Sequence, residues 1–147
     1  MPYFICPNCQ NRSIDHDGRE GLLNQAVACS RCGFGFLFEL LDDYYPAPGA
    51  GLVVCGHDRR ILAAGRGVFE LTGYREPELL GRDVVEALGL DTDAETHPAS
   101  VALEWGVRRM AERVELRTRS GIAKTVTADF FPAYDSDGGL LVALTPR

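Results

Sequence analysis

The chain has 147 residues, 46% of them apolar, and a formal net charge of −6. That length holds one ordinary domain, or one domain and a small module, with enough apolar residues for a core. The acidic balance argues against a general polyanion binder, which needs a basic footprint; no run reaches the ~20 apolar residues of a membrane span, and the start Met1-Pro2-Tyr3-Phe4-Ile5 lacks the charged region and long apolar core of a signal peptide.

In chain order, strands are expected at Tyr3–Ile5 and Gln25–Ala28, each leading into a C-x-x-C pair. The pairs are Cys6-Pro7-Asn8-Cys9 and Cys29-Ser30-Arg31-Cys32, separated by 19 residues. A C-x-x-C turn aims two thiolates at one ion, and two such turns close a tetrahedral site with no open position. Gly33 follows the second pair, where a positive φ costs a glycine little. A third strand leads away over Phe34–Leu41, with Phe36, Phe38 and Leu40 on one face and Leu37, Glu39 and Leu41 on the other. Residues 1–43 resemble a zinc ribbon, and the resemblance implies a structural Zn2+ on Cys6, Cys9, Cys29 and Cys32. The same four thiolates would also suit iron in a rubredoxin-like site, and paired redox disulfides are a weaker reading. A module this short buries too little to fold alone, so its metal is part of its stability. Cysteines used this way suit a reducing compartment, and the cytoplasm is the expected location.

Zinc ribbons often touch nucleic acid. Here Arg12, Arg19 and Arg31 face Asp15, Asp17, Glu20, Glu39, Asp42 and Asp43, an acidic balance that disfavours phosphate contact. His16, in Asp15-His16-Asp17-Gly18, reads as a solvated turn residue. Residues 44–50 read as a linker stiffened by Pro46 and Pro48, which keeps the ribbon close to the second domain, with Tyr44 and Tyr45 packing at the junction.

The second domain, residues 51–147, opens with two apolar runs, Leu52–Cys55 and Ile61–Ala64, around the turn Gly56-His57-Asp58-Arg59. They predict a β-hairpin. Short helices come next, one with Val68, Phe69 and Leu71 before Gly73, and one over Arg82–Leu88 before Gly89, both expected to cover the sheet. A polar loop over 91–100 leads to a helix from Pro98 or Ser100 to about Ala111, with Leu103, Val107 and Met110 on one face. Three strands close the chain, over Arg113–Arg119, Ile122–Pro132 and Leu140–Thr145, the last apolar enough to be central. Phe130 and Phe131 alternate on their strand, so one must leave the helix-facing side; were that second face exposed, it would be a homodimer contact.

Asp58, Arg60 and Ile61, then Phe69, Leu71, Thr72, Gly73 and Tyr74, then Glu78-Leu79-Leu80-Gly81 match the opening of a PAS domain in order and spacing. The late turns Arg119-Ser120-Gly121-Ile122 and Asp135-Ser136-Asp137-Gly138-Gly139-Leu140 fall where that family has its own. The chain thus resembles a PAS protein led by a zinc ribbon. The implied fold class is α+β: a five-stranded antiparallel sheet with helices on one face. One departure is Gly65, where the family pattern has an Asn that ties the loop after the strand to the backbone.

The resemblance also frames the cofactor question, since members use the space between sheet and helices. The N-C-R-F-L-Q motif of the flavin photosensors is absent, and Cys55 reads as a buried apolar thiol. Phe69, Trp105 and His97 are the weak pocket candidates, His97 as a haem ligand. No nucleophile–base pair, phosphate loop or open metal site is legible, and Gly65-Arg66-Gly67 lacks the third glycine of a dinucleotide loop, so an enzyme is not expected. No output domain is legible before Pro146-Arg147, so the sequence reads as all input and adaptor, or as a fragment of something longer. The expected function is a small signalling or regulatory adaptor that meets a protein partner or a small ligand. The alternatives are a transcription-associated regulator that binds nucleic acid through the ribbon, and a haem or flavin sensor.

Overall fold

The computed structural model describes residues 3–13, 29, 31–34, 37–40, 44–132 and 139–147. The expected strand Gln25–Ala28, the loop around His16 and the turn from Tyr134 to Gly138 lie outside the described residues. A small sheet is formed by β1 (Tyr3–Ile5), β2 (Arg12–Ser13) and β3 (Phe38–Leu40), ordered β2-β1-β3. The larger unit contains β4 (Gly51–Cys55), β5 (Ile61–Ala64), α1 (Arg66–Thr72), α2 (Glu76–Leu79), α3 (Val84–Leu88), α4 (Pro98–Trp105), β6 (Arg109–Arg117), β7 (Ala123–Pro132) and β8 (Leu140–Pro146). Its five strands run in the order β5-β4-β8-β7-β6, every neighbouring pair antiparallel. The last strand is central, as its apolar sequence predicts.

All five residues of β4 are buried, as are Leu140–Leu144 of β8. A strand that alternates apolar and polar residues has one dry face; an unbroken apolar run has two. Both faces are indeed covered. Val53, Cys55, Phe130, Leu140, Val142 and Leu144 pack with the helices, through Val68 and Leu71 of α1, Leu79 of α2, Val84 and Leu88 of α3, and Ala99 and Ala102 of α4. On the opposite face Leu52, Val54, Ala63, Phe131, Leu141 and Ala143 pack with Ile5, Phe38 and Leu40 of the small sheet. Phe130 and Phe131 therefore divide between two cores. The second face is not the open dimer surface the alternation allowed for, because the ribbon's own strands lie on it.

The junction reinforces this cover. Tyr44 packs its ring, tilted by 54°, against Phe131 with centroids 4.5 Å apart and donates a 2.5 Å hydrogen bond to Asp129 Oδ2. Asp129 Oδ1 accepts from the Ala111 amide at 2.6 Å, where β6 bulges and Ala111 takes φ +56°. Tyr45 is exposed, with the Arg12 guanidinium 3.6 Å above its ring.

The expected helix to about Ala111 is too long. Gly106 adopts φ +66° and its N–H bonds to Ala102 O, which closes α4 at Trp105. β6 then starts at Arg109, four residues before the expected Arg113. Val107 and Met110 consequently leave the stripe with Leu103: both are exposed, whereas Leu103 packs on the core.

Candidate metal centre

The two C-x-x-C turns have the same backbone construction. Cys6 N–H donates to Asn11 O and Gln10 N–H to Cys6 O; Cys29 N–H donates to Phe34 O and Gly33 N–H to Cys29 O. The residue after each second cysteine takes a left-handed conformation, Gln10 at φ +64° and Gly33 at φ +80°. Within the turns, Cys9 N–H points at Cys6 Sγ (3.5 Å) and Arg31 N–H at Cys29 Sγ (3.4 Å). Such amides stabilise thiolate charge.

The four Sγ atoms all lie within 4.8 Å of one another, with Cys6 and Cys32 at 3.6 Å and Cys9 and Cys29 at 3.7 Å. The cysteines are unbridged. A tetrahedral ion with metal–sulfur bonds of about 2.3 Å places its ligand sulfurs about 3.8 Å apart. The four residues therefore fit one metal ion with a closed coordination sphere.

Electrostatics divide the ligands. Burial pushes the Cys6 thiol up to about 12 and raises Cys9. Cys32 is exposed, and the Phe34 backbone N–H, with help from Asn8, lowers its thiol to about 6. Burial disfavours bare thiolates, so a cation held by these sulfurs would compensate the charge on Cys6 and Cys9. Cys55 stands apart: it is buried in β4, and burial followed by Asp83 and Asp58 raises its pKa.

The other sequence candidates lie elsewhere. His97 is the N-cap of α4; its Nδ1 accepts from Ala99 N–H at 3.1 Å, which leaves the proton on Nε2 to bond Leu90 O, also at 3.1 Å. Both ring nitrogens are thus engaged. Burial lowers its pKa, the Leu90 bond opposing, with Arg59 lowering and Asp83 and Asp91 raising. Trp105 is 71% exposed at the end of α4, so it neither fills the core nor lines the space behind the sheet. Phe69 is 45% exposed: Val68, Leu71 and Thr72 form the inward face of α1, and Phe69 points outward, with the Arg75 guanidinium 5.0 Å from its ring centroid. These three residues do not converge.

The docking of the Cys6–Cys9 turn was not legible in advance. Its Pro7 carbonyl sits so close to Gly65 that a Cβ there would lie 1.9 Å from the oxygen. Asn8 Oδ1 accepts from Arg66 N–H at 2.8 Å. Gln10 Nε2 reaches Ala47 O and Ala50 O at 3.4 and 3.3 Å. The one available signal was Gly65 itself, since a glycine in place of an Asn often marks a close backbone approach.

No protein-family model matches the sequence, and no curated protein resembles it in sequence. Solved structures do match in fold. A PAS domain from Colwellia psychrerythraea superposes with TM-score 0.55 at 20% identity, covering 66% of this chain and 86% of that one. The light-state dimer of the fungal blue-light photoreceptor Vivid gives 0.55 at 16% identity, over 73% and 84%. A fungal LOV-domain photoreceptor gives 0.53 at 20% identity, over 70% and 79%. The five-stranded sheet and its helices have the PAS/LOV fold.

Proposed function

We propose that the protein is a small signalling or regulatory module, a PAS sensor or protein-interaction unit (residues 51–147) joined through 44–50 to a structural zinc ribbon (residues 1–43). The observation that carries this reading is the cluster of four cysteine sulfurs on a ribbon that packs against the PAS-type sheet. Cys6, Cys9, Cys29 and Cys32 would hold the ion, and a closed set of four sulfurs leaves no position for substrate, which favours a structural role over catalysis. Zinc is preferred to iron because it suits a tetrahedral structural site without redox chemistry. A thiolate site of this kind also suits the cytoplasm.

A haem or flavin reading is weakened by the same geometry. Both nitrogens of His97 are bonded, Cys55 is a strand residue, and Phe130, Leu88 and Leu116 are fully buried behind the sheet. A small ligand or protein partner remains the expected counterpart, and dimerisation, seen in Vivid, would use a surface other than the ribbon-covered face. Metal analysis with an absorption spectrum tests this. One zinc per chain in a colourless protein is the expected result; iron–thiolate, haem or flavin bands, or no metal, would overturn it.

A further inference from the structure

The Cys6–Cys9 turn meets the metal centre on one side and the first helix of the PAS-type layer on the other. Helix α1 begins at Arg66, and its N-cap, Gly65, has no side chain to offer. The first N–H groups of a helix lack partners inside it. Arg66 N–H finds its acceptor 58 residues away, in Asn8 Oδ1. The other end of the same amide, Nδ2, lies 3.8 Å from Cys32 Sγ. One side chain thus spans from a ligand sulfur to the start of α1. Backbone contacts run alongside it. Pro7 O rests on Gly65, and a Cβ on Gly67 would come within 2.4 Å of Ala50 O. Helix α1 in turn inserts Val68 and Leu71 into the core behind β4.

We infer that occupancy of the four-cysteine centre controls the order of the first turn of α1, with Asn8 as the coupling residue. This rests on the metal reading above and deepens it: the module responds to the state of its own metal centre. The ion fixes the turn that presents Asn8 and Pro7. Without it the turn has no common anchor for its two thiolates, Asn8 leaves Arg66, and the first turn of a seven-residue helix loses its cap. A helix so short has little intrinsic stability and depends on such contacts.

The test is amide hydrogen exchange on the full chain, with zinc content measured in every sample. The zinc-loaded wild type should protect the Arg66 amide. Chelation, and separately Asn8→Ala with zinc retained, should each speed its exchange at least about fivefold, the ratio set by a loss of about 1 kcal/mol. Asn8→Asp keeps an acceptor oxygen and should preserve protection. The Val126 and Val142 amides, in the central sheet, should not change. A chain that binds no zinc overturns the metal reading and this inference together. Zinc binding with an Arg66 amide indifferent to chelation or to Asn8→Ala overturns the inference alone, as does equal loss of protection at Val126 and Val142, which would mean global unfolding.

Discussion

Gly65 is defined by the atom it lacks. The Pro7 carbonyl oxygen would sit 1.9 Å from a Cβ there, and Pro7 is backbone, so no rotamer change relieves the clash. Gly65→Ala is therefore expected to displace the Cys6–Cys9 turn and cost about 1–3 kcal/mol, the usual range for overpacking, as measured by urea unfolding with metal content checked. His97 yields a pH-dependent outcome. Its folded pKa is lowered, chiefly by burial, so the unfolded chain binds its proton more readily. The stability it contributes is present above its unfolded value of about 6.5 and is lost as pH falls through the lower folded value. The structural reason is that a protonated Nδ1 cannot accept from Ala99 N–H. His97→Asn retains a capping oxygen without the titration. The stability difference between wild type and variant, measured by denaturant unfolding at pH 7.5 and 5.8, should shift against the wild type at the lower pH; a constant difference would contradict this.

At the scale of elements, the junction between ribbon and sheet turns on Tyr44. Its ring covers Phe131 and its hydroxyl donates to Asp129, whose other oxygen holds the β6 bulge at Ala111. Hydrogen bonds to charged groups contribute about 1.5–3 kcal/mol, so Tyr44→Phe should lower the unfolding free energy by that amount, measured in urea, while keeping the ring packing. Were the stability unchanged, the Tyr44–Asp129 contact would not be a fastening of the linker. Helix α4 is shorter than its apolar spacing predicts. The spacing of Leu103, Val107 and Met110 fits a helical face, but Gly106 takes φ +66° and ends the helix. Periodicity over three residues was weaker evidence than a single glycine suited to a C-cap. Phe69 and Trp105 point away from the core although aromatic character favours burial, because the short helices have only one inward face each, filled by Val68 and Leu71 in α1 and by Ala99 and Ala102 in α4.

For the whole molecule, the small sheet and the large one share a core. Ile5, Phe38 and Leu40 close over Leu52, Val54, Phe131, Leu141 and Ala143, all of them buried. Removing metal from the ribbon should loosen this cover and expose the sheet's second face. Binding of a hydrophobic dye such as ANS is expected to rise on chelation and to fall again when zinc is restored. A flat signal, with metal loss verified, would mean that the cover holds without the ion.

The sequence by itself determined the two C-x-x-C turns, the chain order of hairpin, helices and three late strands, and the central place of β8. These rest on local chemistry: ligand spacing, turn residues and unbroken apolar runs. Only the tertiary structure decided what lies on the second face of the sheet, where Phe69, Trp105 and His97 point, and why position 65 is glycine. Those answers depend on contacts between residues far apart in the chain, such as Pro7 with Gly65 and Asn8 with Arg66. No periodicity or motif encodes such pairs, because each partner looks ordinary until the fold brings the other within a bond length or two.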